Sequence, residues 1–94
     1  MSTDAPLASK TWHVRIDIGE HDGRTHAIAR LETGSGTELR GMGEAHLNPR
    51  DADVPEVGDE LAAARALSQL AHILLDTAAN DITQLLHTQV RLEQ

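Results

Sequence analysis

The chain has 94 residues, no cysteine and a formal net charge of −7 with histidine neutral. This length allows one domain, and the lack of cysteine excludes disulfides, thiol chemistry and thiolate metal sites. The acidic balance argues against nucleic acid or anionic lipid as a default ligand. Because no apolar run resembles a signal peptide or approaches bilayer length, we expect a cytoplasmic protein without membrane contact.

Three alternating runs follow a polar, aperiodic start to the chain. Residues 1–10 predict a disordered N-terminal arm, and residues 11–94 predict a single α+β domain. The alternating runs cover about 11–18, 24–31 and 38–47, and reverse-turn sequences rich in Asp, Gly and Ser join them. Strict period two predicts strands with one buried and one solvated face. The expected sheet is therefore a three-stranded antiparallel β-meander.

Two glycines lie on the inward parity of the third strand. Gly41 and Gly43 alternate with Arg40, Met42 and Glu44, and glycine weakens a strand. The pair predicts that a helix or Trp12 packs very close to the sheet, where a Cβ would clash. A phosphate-binding turn would need a strand-to-helix junction, which is absent here.

One long amphipathic helix is predicted to cover the sheet after a polar loop over 48–56. It begins either near Pro55, with Asp53 as N-cap and Glu56 at the capping-box position, or at Gly58, and it ends near residue 77. Its broad apolar face predicts the contact with the sheet. That face comprises Val57, Leu61, Ala64, Leu67, Ser68, Ala71, Leu74, Leu75 and Ala78. A polar stripe comprises Arg65, Gln69, His72 and Asp76.

A second apolar strip lies outside both of these stripes and needs a cover. It comprises Ala62, Ala66, Leu70 and Ile73. Either the C-terminal segment or a second subunit should cover it, and the near absence of aromatic residues leaves a thin monomer core. We therefore predict a homodimer with Leu70, Ile73 and Ala66 in its interface.

The C-terminal segment predicts one more element. Asn80-Asp81 indicates a break, residues 82–86 predict a short second helix, and residues 88–92 alternate as a short extended tail would. The fold class is therefore α+β, in the order β-β-β-α-α.

No group of residues predicts a reaction. The six histidines lack the spacing of a zinc site, and Gly34-Ser35-Gly36 lacks the context of a nucleophile elbow. The clustered carboxylates near the helix start are explained by capping and solvation. We expect no enzyme activity, no cofactor, and no catalytic, cofactor-binding or metal-binding residue; a metal or small ligand on the sheet histidines is a minor alternative.

The outward face of the sheet carries the candidate binding residues. A net acidic chain places three of its eight bases there, with three histidines beside them. The predicted patch comprises Arg15, Arg30, Arg40, His13, His26 and His46. It suits phosphates or an acidic protein partner, although a solvated sheet face would carry similar charges.

The chain also resembles a small actinobacterial family of uncharacterised proteins. The resemblance rests on WHVRIDIGEHDGRTHAIARL over residues 12–31 and GMGEAHLNPRDADVPEVGDELAAARALSQLA over residues 41–71. The shared pattern is I-x-E-H-x-x-x-T-x-A-x-A-R-L, then G-x-G-x-A-x-L-N-P, then V-P-x-[IV]-G-D-E-L-x-x-A-R-A-L-S-x-L. Gly19 is a minor departure from it.

The resemblance implies a fold similar to double-stranded-RNA-binding domains and ribosome hibernation factors, a homodimer, and a link to dormancy or stress. It implies no catalytic residue. The first helix of the double-stranded-RNA-binding fold has no counterpart, since residues 1–11 are too few and too polar.

Two functional hypotheses follow. The first is a non-enzymatic, stress-associated accessory protein that contacts the ribosome or structured RNA as a homodimer. The second is a protein-interaction module without a nucleic-acid partner, which docks an acidic protein.

Overall fold

A computed structural model describes residues 9–46 and 55–93, with side chains for 9–46 and 56–87. Its elements are β1 (Val14–His21), β2 (Arg24–Glu32), β3 (Glu38–His46) and α1 (Pro55–Glu93). Most of the predicted arm over 1–10 and most of the predicted loop over 48–56 lie outside the described residues. Helix α1 begins at Pro55. Proline suits the first helical position, because an N–H there would have no acceptor within the helix and its absence costs nothing.

The strands form an antiparallel sheet in the order β1-β2-β3, which confirms the predicted meander. In one cross-strand row, Ile16 faces Ala29 and Ala29 faces Gly41. Asp22 and Gly23, between β1 and β2, have φ values of 53° and 76°. Two successive positive φ values characterise the type I′ turn, whose twist matches that of a hairpin.

Helix α1 packs its backbone directly against β3. A Cβ built on Gly41 would overlap the Ala66 carbonyl oxygen and lie 2.8 Å from the Leu70 Cα. A Cβ built on Gly43 would overlap the Ala62 carbonyl oxygen. Of the two groups expected to approach these glycines, the helix is therefore the one that does. Trp12 is 51% exposed and does not fill that space.

The faces of α1 are exchanged relative to the sequence prediction. Ala66 and Leu70 are 0% and 4% exposed within the single chain, and Ile73 is half-buried against the same core. The predicted dimer interface is therefore the contact of the helix with its own sheet. The predicted sheet-facing stripe is largely exposed instead, as Leu61 and Leu75 show. The physical reason is the glycine pair, Gly41 and Gly43. They bring the backbone of α1 so close to β3 that alanines fit at the contact and a row of leucines does not.

The predicted second helix and extended tail are also wrong. Helix α1 runs without interruption for 39 residues, through Asn80-Asp81 and on to Glu93. Asn and Asp are poor helix formers, but each costs less than about 0.7 kcal/mol relative to alanine and neither removes a backbone donor. The described part of the chain is therefore β-β-β-α.

The core is narrow and lies between α1 and the strands β2 and β3. It contains small and branched aliphatic side chains, and Thr25 is buried among them. The core residues are Ala27, Ala29, Leu31, Leu39, Ala45, Ala62, Ala66 and Leu70. The inward face of β1 stays largely open, since Val14 and Ile18 are 42% and 46% exposed.

Candidate interaction surfaces

The three arginines of the predicted patch lie side by side across the sheet. Arg15 of β1 faces Arg30 of β2, and Arg30 faces Arg40 of β3. We call this set the arginine row. Like charges directly opposite each other destabilise a sheet, so the row is held at a cost to stability.

Two carboxylates partly neutralise the arginine row. Arg30 Nη1 lies 3.1 Å from Asp17 Oδ2, and Arg15 Nε lies 3.2 Å from the same oxygen. Arg40 Nε donates to Glu38 Oε1 at 3.0 Å. The hydrogen bond from Arg30, together with the hydrogen bond and charge of Arg15, lowers the pKa of Asp17 below its usual 3.8 against an opposing desolvation. Three guanidinium groups thus share two carboxylates.

The histidines of the predicted patch do not converge. His26 Nδ1 lies 3.4 Å from Glu44 Oε2, His46 faces Arg24 across the strands, and His13 precedes β1. Within 9–46 and 56–87, no three histidine, aspartate or glutamate side chains come together in a way that could hold a metal ion. The minor metal alternative therefore has no support from these side chains.

Two polar side chains of α1 cover the outer edge of β3. Gln69 Oε1 accepts a hydrogen bond from the Met42 amide at 2.6 Å, and Arg65 Nη1 donates to the Glu44 carbonyl at 2.7 Å. Unpaired edge groups are a template for unwanted strand pairing, and these bonds remove two of them. Sequence reasoning placed both side chains in a polar stripe but did not assign them this role.

Large apolar side chains remain exposed on β1 and along α1. On β1 and just before it, they are Trp12, Val14 and Ile18. On α1 they are Val57, Leu61, Leu67, Leu75, Ile82, Leu85 and Leu86. From Ala78 to His87 no helix side chain is buried, so this part of α1 projects beyond the sheet.

With this arrangement in view, comparison with known proteins identifies the family. A family model described as Rv2632c-like matches residues 10–91. The chain belongs to that family. The crystal structure of Rv2632c superposes with a TM-score of 0.79 at 43% identity, covering 88% of this chain and 98% of that one.

Rv2632c-like proteins of mycobacteria align over most of this chain. Rv2632c of Mycobacterium tuberculosis, strain H37Rv, is 44% identical over 88 residues, which are 94% of each chain. MT1780 of strain CDC 1551 is 49% identical over 81 residues, which are 86% of this chain and 85% of that protein. Both are called uncharacterized proteins, so membership of the Rv2632c-like family establishes relationship and fold. The expected links to dormancy and ribosome hibernation stay predictions.

The length of α1 makes it relevant to the expectation that the protein has no membrane contact. Over the residues that the structure describes, no helix combines the length and apolar character needed to cross a bilayer.

Proposed function

We propose that this chain is a non-enzymatic protein-interaction module that acts as a homodimer. The observation that carries the proposal is the pair of uncovered apolar surfaces on one chain. The first surface is the open inward face of β1, and the second is the projecting end of α1.

The first surface is a shallow groove between β1 and α1. Arg65 and Gln69 reach the outer edge of β3, so the opposite flank of the helix, which bears Leu67, faces β1. Leu67 is 41% exposed, and Val14 and Ile18 are exposed to a similar degree. Helix α1 therefore covers two of the three strands and leaves room for another helix beside it.

The second surface matches this groove in length and chemistry. Residues 78–93 of α1 span about 24 Å at 1.5 Å per residue, and β1 spans about 26 Å. Ile82, Leu85 and Leu86 are between 57% and 63% exposed there. The Cα radius of gyration, 18.9 Å, exceeds the value of about 12 Å for a compact chain of this length.

A second copy is the occupant that these two surfaces fit. If the projecting helix of each chain lies in the groove of its partner, one two-fold axis covers both apolar surfaces on both chains. Such reciprocal packing closes on itself and leaves no open surface for a further copy. Full burial of a large aliphatic side chain contributes roughly 1.5–3 kcal/mol. The contribution to dimer formation is smaller than this, because each side chain is already partly buried in the single chain.

Sedimentation velocity on the full chain tests the homodimer. We expect the wild type to sediment as a dimer at tens of micromolar and Ile82→Asp to sediment as a folded monomer. Ile82 is largely exposed in the single chain, so the far-ultraviolet circular dichroism of the variant should stay native.

Thr83→Asp is the matched control, because it adds the same charge one residue away. On a helix with about 100° per residue, Thr83 points to the same flank as Arg65, away from the groove. This variant should remain a dimer. A wild-type monomer, or equal dissociation of both variants, would remove the support for the proposal.

A second candidate function rests on the arginine row. Three guanidinium groups with two carboxylates suit an anionic partner, and duplex RNA is recognised by shape and phosphate contacts without aromatic stacking. Contact with the ribosome or structured RNA, as the resemblance to hibernation factors implies, would use this face. The mixed charges on the face and the net charge of −7 favour the protein-interaction module.

Removing the charge that holds the arginine row separates RNA from a protein partner. If duplex RNA binds there, Asp17→Asn should bind it more tightly at low salt and steepen the salt dependence, since one more positive charge is available to phosphate. Asp22→Asn, an equal charge change in the β1–β2 turn, should have a smaller effect. Absence of RNA binding at low salt for all three proteins would assign the face to an acidic protein partner.

A further inference from the structure

A cleft with an unusual lining lies beside the β2–β3 turn. It has a volume of about 370 Å³ and lies between Trp12, residues 33–37 and the middle of α1. Leu39 and Leu74 supply apolar wall, and Asp81 stands at the helix side. Sites for small ligands have volumes from about 300 Å³ upward and combine apolar walls with a few polar groups, as this cleft does.

Most hydroxyl protons of the lining are already used within the chain. Thr77 Oγ1 donates to the Ile73 carbonyl at 2.9 Å. Thr33 Oγ1 and Ser35 Oγ lie 3.0 Å apart, so one of them donates to the other. The other proton goes to Thr37 at 3.4 Å, either from Thr33 to the Thr37 carbonyl or from Ser35 to Thr37 Oγ1. These three hydroxyls therefore present oxygen lone pairs to the cleft, and only Thr37 keeps a proton to offer. Apart from the Thr37 hydroxyl and the indole N–H of Trp12, the polar side chains of the described lining therefore act as acceptors.

The charge of the cleft also favours a ligand that donates hydrogen bonds, and in particular a cation. Asp81 is the one charged side chain among the described lining residues, and it makes no ion pair with a described cation. Trp12, the only aromatic residue of the sequence, is 51% exposed and borders the same space. The face of an indole ring attracts cations, and a carboxylate does so more strongly.

We propose that this cleft binds a small organic cation, an alkylammonium or guanidinium group with a short apolar body. The N–H donors of the cation meet the lone pairs of Thr33, Ser35 and Thr77. Its charge lies between Asp81 and the indole of Trp12, and its apolar body contacts Leu39 and Leu74. An anion of the same size is repelled, because no described cation lines the cleft. The cleft adjoins the groove of β1 that we assign to the homodimer, because Trp12 precedes β1 and Asp81 lies within the projecting segment 78–93 of α1.

Titration with n-butylammonium tests this assignment on the full chain at neutral pH and constant ionic strength. Trp12 is the only tryptophan, so its fluorescence reports on the cleft alone. We expect a saturable change with n-butylammonium and none with n-butyrate, its anionic analogue. n-Butanol, the neutral analogue, should bind up to about fivefold more weakly, the upper end of the range for one exposed ion pair.

Two aspartate variants locate the charge. Asp81→Asn should weaken n-butylammonium binding about fivefold, while Asp76→Asn, an equal change on another flank of α1, should leave it unchanged. Equal effects of the two variants would mean a general electrostatic attraction and overturn the site. Equal binding of ammonium, alcohol and carboxylate, or no saturable change at all, would overturn it as well, the latter indicating that the chain or a second copy fills the cleft.

Discussion

Replacing Gly43 with alanine is expected to lower the free energy of unfolding by about 3 kcal/mol or more. An added Cβ would overlap the Ala62 carbonyl oxygen and lie 2.8 Å from the Arg65 carbonyl carbon. Both are backbone atoms of α1, so no side-chain rotation relieves the clash and the helix must move off the sheet. For a domain of this size, that loss is a large part of the total stability. Urea unfolding followed by circular dichroism measures it.

Gly19→Ala is the matched control within the same sheet. A Cβ at Gly19 meets no atom within 4 Å, and the residue has no positive φ. Its free energy of unfolding should therefore stay within about 0.5 kcal/mol of the wild type, as at most surface positions. A similar loss in both variants would mean that glycine matters through strand propensity and not through the close approach of α1.

Shortening Leu70 to alanine is expected to cost about 2–5 kcal/mol, the range for a buried leucine. Leu70 is 4% exposed and packs against β3 beside Gly41. The same substitution at Leu67, which is 41% exposed on the flank of the helix, should cost clearly less. Thermal and urea unfolding of the two variants in parallel give the comparison.

The order of these two losses determines which face of α1 contacts the sheet. A greater loss at Leu67 than at Leu70 would contradict the packing and restore the stripe expected from the sequence. Both variants should be measured at the same protein concentration, well below the dissociation constant of the dimer. Otherwise dimer formation would contribute to the result, because Leu67 also borders the groove that we assign to the second copy.

The strands could be predicted because their signal is local. Alternation with period two fixes which side chains share a face, and the Asp-Gly pair between β1 and β2 readily adopts the positive φ values that the turn requires. The outward position of Arg15, Arg30 and Arg40 follows from the same parity. Their alignment in one row depends on the pairing register, and their ion pairs with Asp17 and Glu38 depend on side-chain geometry.

The contact face of α1 could not be predicted from apolar character alone. The helix has two apolar stripes, and the leucine-rich one has the larger area to bury. Gly41 and Gly43 reverse that preference, because helix and strand backbones approach so closely that Ala62, Ala66 and a single leucine, Leu70, fit there and a row of leucines would not. The glycines were recognised as a sign of close approach, but which helix residues met them depended on the tertiary contact.

By itself, the sequence determined the elements that depend on neighbouring residues: three strands, their inward parity, their turns and a helix after them. The tertiary structure alone decided the rotation of α1 about its axis and the uncovered face of β1. Those features depend on which backbones can approach each other across the fold. A local sequence pattern shows how much apolar area a helix face carries. Which face packs against the sheet depends on how closely the two backbones can approach.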